Sequence, residues 1–256
     1  MNRQLALPSR KMNSYARQMR SCMNAFRLGI VFVRVRWFRM PEKISVAGNA
    51  VSLHYPLEKG VRTDFIGCCI RNDYGLSEQL AKVETILDIG ANLGFFSIAA
   101  RSHYPKAKIH AYEPNPRVLS FLDSNISPLG IGMFPEAVGA EDGHVSIIDG
   151  GASNQARTES SLDGTIPLIS LDTAIERLGG TVDLLKLDCE GAEWDMFRSK
   201  NPWRHIRNIR MEYHLFQGQT VEDLEQALDS LSFKVTHWQP DVGFGIVWAV
   251  NVGQAA

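Results

Sequence analysis

Nowhere do the 256 residues hold an unbroken run of the ~18 apolar residues a membrane-spanning helix needs, so no span is expected. The apolar stretch at 25–38, AFRLGIVFVRVRWF, is interrupted by Arg27, Arg34 and Arg36, which makes it a poor signal-peptide core. Cysteine is scarce. Cys22, Cys68, Cys69 and Cys189 form no C-x-x-C pair and no regular spacing, so they read as reduced thiols of a cytoplasmic protein. Acidic residues are nearly missing from the first 43 positions, where Glu42 stands alone against ten Lys and Arg. Of the 27 basic and 28 acidic residues in the chain, that leaves 17 and 27 for the remainder, a net charge of -10. A basic arm on an acidic body asks for an anionic partner: a membrane surface, nucleic acid or the body itself. On a helix Arg20, Arg27 and Arg34 fall on one face and Phe26, Ile30, Val33 and Trp37 on another. Peripheral membrane contact and docking on the chain's own domain are equal expectations for that pattern, with a transit peptide as a third.

The dinucleotide turn G-x-G-x-x-G is also missing at the place where a glycine turn occurs. There the spacing is D-x-G-x-x-x-G, from Asp88 through Gly90 to Gly94, after a buried strand with Ile86, Leu87 and Ile89. Glycines let a ligand approach the backbone, and the helix that follows offers unpaired N–H groups. Three segments are read: a basic arm over 1–43, a lead-in over 44–82, and the main domain over 83–256. The lead-in opens with a hairpin at 43–55 that lids or edges the main sheet, and it closes with a short helix near Lys82. The main domain alternates strand and helix. Met133 to Val138 reads as its third strand, Val182 to Asp188 as its fourth and Ile206 to Glu212 as its fifth. A hairpin from Phe233 to Val250 closes the sheet. The polar stretch 149–164 is long for a connection and reads as a functional or disordered loop.

Taken together, LDIGANLGFFS at 87–97, AYEPNP at 111–116 and KLDCEGAE at 186–193 resemble the FkbM family of S-adenosylmethionine-dependent methyltransferases, over about residues 60–250. The resemblance implies a Rossmann-like class I α/β fold. Its seven-stranded sheet would be mostly parallel with an antiparallel C-terminal edge strand, preceded by a β-hairpin and a basic N-terminal helix. It also implies S-adenosyl-L-methionine as cofactor and O-methylation of a hydroxyl on a sugar, glycan or polyketide-type acceptor. The chain departs from the family pattern at Met196 to Lys200, MFRSK, where a Leu-x-Gly-Ala ending is expected.

Asp88 and Glu113 lie 25 residues apart at the ends of adjacent strands, and an acid about 20 residues past the glycine turn is placed to accept both ribose hydroxyls of a nucleoside. A carboxylate at Asp88 suits a ligand carrying an ammonium and a sulfonium, and opposes a pyrophosphate. Asn92, Gly90 and Gly94 would hold the amino-acid end, and Asn115 and Glu136 the nucleoside. The bland alternative makes Asp88 a helix cap and Glu113 a solvated strand end. Asp188 and Glu190, with Glu193 beside them, would orient or deprotonate the acceptor hydroxyl, helped by His214 near the end of the fifth strand. Helix capping is the alternative for these acids. Strand alternation puts Lys186 and Asp188 on one face, where they can pair. Asp188, Glu190 and His214 offer metal donors, but no tight ligand motif accompanies them, and the reading is metal-free. A small-molecule or glycan acceptor is expected and a nucleic acid is not. An NAD-dependent oxidoreductase and a non-catalytic nucleoside-binding scaffold are the alternatives.

Overall fold

The computed structural model describes residues 10–78, 80, 82–148, 157–160, 163–216 and 218–253. Helix α1 (Arg10–Arg27) begins it and ends earlier than the heptad spacing of arginines suggests. Gly29 takes a positive φ of 71°, and from Ile30 side chains alternate, with Ile30 and Phe32 buried and Val31 and Val33 exposed. Ile30 therefore leaves the face it was expected to share with Phe26 and Val33. Strands β1 (Lys43–Val46) and β2 (Asn49–Ser52) form the expected hairpin around Ala47 and Gly48. It stays a separate two-stranded sheet and buries Ile44, Val46 and Val51 instead of edging the main one. Helix α2 (Val61–Phe65) runs on as a π-helical turn through Ile66–Arg71. Asn72, with φ at 66°, stops it, so among the described residues no helix reaches Lys82.

The main domain follows in chain order as β3 (Thr85–Ile89), α3 (Phe95–His103), β4 (Lys108–Tyr112), α4 (Leu119–Ile126), β5 (Gly132–Phe134), β6 (Ala137–Gly139), β7 (Gly143–Ile148), β8 (Arg157–Ser160) and β9 (Ile166–Ser170). After these come α5 (Leu171–Leu178), β10 (Leu184–Leu187), α6 (Glu193–Met196), β11 (Asn208–His214), α7 (Val221–Ser230), β12 (Phe233–Pro240) and β13 (Phe244–Asn251). Seven strands make one sheet in the order β12-β13-β11-β10-β3-β4-β5. The C-terminal hairpin forms one edge, and its β13 is antiparallel to both neighbours. β3 and β10 sit side by side at the centre and are buried on both faces, as their apolar runs TILDI and LLKL require.

The expected third strand is broken in two. Pro135 cannot donate to a ladder, so β5 ends at Phe134 and β6 joins β7, β8 and β9 in a four-stranded side sheet. β8 pairs with β7 within the stretch expected to be a loop, whose residues 149–156 and 161–162 lie outside the described ones. Helix starts follow their signals: Ser170 Oγ accepts from Thr173 N–H to begin α5, and Thr220 and Asp223 form a capping box on α7. Two apolar clusters cover the two faces of the sheet. One joins Ile86 and Leu184 to Ile98, Phe65 and the arm residues Ala25, Leu28, Phe32 and Phe38. The other joins Leu87 and Leu185 to Met211, Trp203 and Leu228.

Candidate active site

Strand order reverses between β3 and β10, the place where an open α/β sheet gapes at its carboxyl ends. A cavity of about 540 Å³ lies there. Gly90 and Ala91 both donate their N–H to the Tyr112 carbonyl, which folds the turn back over β4. Gly90, at φ 72°, packs so tightly that a Cβ would stand 1.8 Å from the Asp188 carbonyl oxygen. A Cβ on Gly94 would instead meet Ile126 and Leu122 at 2.6 and 2.9 Å. Gly94 thus serves the packing of α3 against α4 and does not line the cavity, which leaves Gly90 as the glycine of this turn on the cavity wall.

Glu113 leaves β4 into the cavity, and its carboxylate accepts the N–H groups of Asn92 at 2.7 Å and Asn115 at 2.8 Å. Each oxygen keeps a lone pair beyond those bonds, so the bland reading of a solvated strand end does not describe this buried group. Burial pushes its carboxyl up to about 7, against the pull of both backbone donors and of Lys186. Asn92 also lines the cavity, and its Oδ1 is a buried acceptor with no donor among the described residues. Asn115 turns its amide away: Oδ1 accepts from Arg117 N–H, and the side chain lies outside the cavity wall. Glu136 lies on the wall beyond β5 and pairs with Arg177.

Asp88 does not reach the cavity. It is fully buried beneath the glycine turn, accepts from Ser97 Oγ at 2.7 Å and faces Lys186 Nζ at 3.5 Å. The reason is register: Asp88 and Lys186 are direct partners across the β3–β10 ladder. Lys186 donates to the carbonyls of Ile89 and Gly90 and pairs with Asp188 Oδ2 at 3.3 Å, as strand alternation suggested. Burial alone would depress this ammonium, but Asp188 and Asp88 outweigh it and hold it above its ordinary value.

Across the cavity stand Asp188, Glu190 and Glu212. Tyr74, at the end of the lead-in helix, places its hydroxyl 3.4 Å from Asp188 Oδ2 and 3.3 Å from Glu212 Oε2. A phenol has one proton to give, so both contacts are hydrogen bonds only when one carboxyl is protonated. Glu212 is that carboxyl: burial first, and the nearby Asp188 charge second, push it up. No motif in the sequence around Tyr74 announces it. The topology alone brings it to the fourth and fifth strand ends.

His214 is buried behind this wall, with Nε2 3.4 Å from Glu190 and Nδ1 3.7 Å from Glu193. Burial works against its charge, yet Glu193 and Glu190 prevail and raise the imidazole to about 9. Glu193 is an anchor more than a helix cap: its carboxylate accepts the N–H of Gly191 at 2.8 Å and of His214 at 3.1 Å, tying the turn after β10 to the end of β11. Donor atoms of Asp188, Glu190 and His214 lie within 4.8 Å of one another, a set that a divalent cation can share. Their charges are also matched inside the protein, His214 to Glu190 and Asp188 to Lys186.

A doubly wound sheet with one reversed strand, a glycine turn and an acid at the end of the next strand make up the Rossmann-like class I α/β fold. The family model for the methyltransferase FkbM domain matches residues 88–235, and the chain belongs to that family. Methyltransferase sdnD of Sordaria araneosa is 26% identical over 201 residues, 61% of this chain and 77% of that protein. Methyltransferase 1 of Beauveria bassiana (strain ARSEF 2860) is 26% identical over 186 residues, 61% of this chain and 74% of its own length. Among solved structures, methyltransferase FkbM from Methylobacillus flagellatus aligns with a TM-score of 0.48 at 15% identity, over 72% of this chain and 47% of that one. Family membership sets aside the oxidoreductase alternative.

Proposed function

We propose that the chain transfers the methyl group of S-adenosylmethionine to a hydroxyl oxygen of a small-molecule or glycan acceptor. The observation that carries this reading is the placement of Asp188, on the cavity wall opposite Glu113 and hydrogen-bonded to Tyr74. The donor's adenosine and amino acid suit the cavity. Glu113 has free lone pairs for two ribose hydroxyls, and the unmet Asn92 Oδ1 suits an ammonium donor. With Glu212 protonated, the acids that line the cavity, Asp64, Asp73, Glu136, Asp188, Glu190 and Asp241, still outnumber its basic residues, Arg71 and Lys186, an imbalance that a sulfonium and an ammonium offset. When bound, S-adenosylmethionine supplies a methyl carbon already activated by positive sulfur.

The protein's work is then to align the acceptor oxygen with that carbon and to receive a proton. Asp188 would take the acceptor proton as the O–CH3 bond forms and the S–CH3 bond of the donor breaks, leaving a neutral thioether. Lys186 holds the Asp188 carboxylate in place from below, and Tyr74 steadies the same carboxylate from the side. Glu190, fixed by His214, orients the acceptor. Glu136 and Asn115 stand toward the nucleoside end, Glu136 on the wall and Asn115 through its backbone N–H on Glu113. A nucleic acid would be repelled by this acidic wall, which favours an uncharged hydroxyl compound as acceptor.

The test is Asp188→Asn, which should retain the fold and donor affinity while turnover falls roughly 100-fold or more. Full turnover would remove Asp188 from proton transfer. Loss of activity to a chelator, restored by magnesium or manganese, would make the same residue a metal ligand instead.

A further inference from the structure

The basic arm has two unlike faces, and the body uses only one. Ser21, Asn24, Ala25 and Leu28 of α1 are buried, and Asn24 Nδ2 donates to the Ile70 carbonyl at 3.1 Å. Arg20 pairs with Glu78, and Arg27 contacts His103 Nδ1 at 3.2 Å. The opposite face is apolar and open. Met19, Met23 and Phe26 recur at helical spacing, with Phe26 82% exposed. Beyond the helix the spacing becomes two, and Val31, 91% exposed, Val33 and Trp37 continue the stripe outward. Single exposed apolar residues are ordinary, but a continuous stripe along one segment marks a binding surface.

Its charge tells what it binds. No acidic residue precedes Glu42, and Arg34, Arg36 and Arg39 are exposed and make no ion pair among the described residues. Arg34 and Arg36 lie over the Trp37 ring at 5.7 and 4.3 Å, which groups an interfacial aromatic with two cations. We propose that this face docks the enzyme on an anionic phospholipid surface, with the apolar stripe entering the headgroup layer and the arginines meeting lipid phosphates. Docking on the body and docking on a membrane are therefore not rivals in this chain: opposite faces of one segment do each. No helix among the described residues is long and apolar enough to cross the bilayer, so the attachment is peripheral.

The test is co-sedimentation of the full chain with phosphatidylserine-containing vesicles and with pure phosphatidylcholine vesicles, at low and high salt. Expected is pelleting with the anionic vesicles at low salt, lost at high salt and absent with phosphatidylcholine. Replacing Met23, Phe26 and Val31 together by Ser should weaken binding at least tenfold with an unchanged melting temperature, since none of the three supports the core. Arg34→Gln and Arg36→Gln should each cost on the order of fivefold. Absence of lipid-dependent pelleting at low salt overturns the proposal. So does a dimer in lipid-free light scattering that the triple Ser variant converts to monomer, because the stripe would then be a subunit contact.

Discussion

Glu113 is held in readiness by the two backbone N–H groups it accepts, while burial keeps its carboxyl near neutral pH. In the proposed function ribose hydroxyls donate to the ionised form, so donor binding would favour loss of the proton. Affinity for S-adenosylmethionine should rise between pH 6 and 8 and then level off, and calorimetry at several pH values checks this. Glu113→Gln should weaken binding by about 1–3 kcal/mol and flatten that dependence. An unaltered slope in the variant would assign the titration to another group. The places of Glu113, Asn92 and Gly90 on the cavity wall were legible because one βαβ unit, β3–α3–β4, carries all three. Asp88 was only half legible. Its position at a strand end can be counted, but its burial against Lys186 depends on the register of two strands nearly a hundred residues apart. Tyr74 was not legible at all, since its partners come from β10 and β11.

The glycine turn divides its labour between two contacts that a motif writes identically. Gly90 admits the Asp188 carbonyl, and Gly94 admits α4. Alanine at either site meets a positive φ, which costs about 1–2 kcal/mol before any clash. Gly90→Ala should push the ends of β3 and β10 apart and abolish measurable donor binding. Gly94→Ala should lower the melting temperature through overpacking against Ile126 and Leu122, costing about 1–3 kcal/mol more, while molecules that remain folded still bind the donor. Melting curves beside calorimetry separate the two, and equal loss of binding in both would refute the division. Elements themselves were largely readable from apolar spacing and caps. The breaks were local: Pro135 split one strand, and the heptad of arginines imitated a helix past Arg27.

For the molecule as a whole, the buried polar groups behind the cavity set how stability depends on pH. His214 has a folded value of about 9 against an ordinary 6.5, so the folded state holds its proton more tightly. Its contribution is whole below 6.5 and disappears as pH rises through 9, at most on the order of 3 kcal/mol. Glu113 acts with the same sign in a lower window, between its ordinary value of 4.5 and about 7. The urea midpoint of the ligand-free chain should therefore fall between pH 6.5 and 9. A midpoint that stays level or rises would mean that Glu190 and Glu193 do not hold an imidazolium.

The arm residues Ala25, Leu28, Phe32 and Phe38 share one apolar cluster with Phe65 and with Ile86 of the central strand. That has a practical side for anyone expressing the protein. The span recognised as the family domain, 88–235, opens inside β3 and closes inside β12. A gene trimmed to it would cut two strands of the sheet, omit β13 between β11 and β12, and take the arm and lead-in off one face, leaving it only α3 and α4. The segment that carries the open stripe is also the wall of the house, and cloning boundaries drawn by family likeness would lose both together.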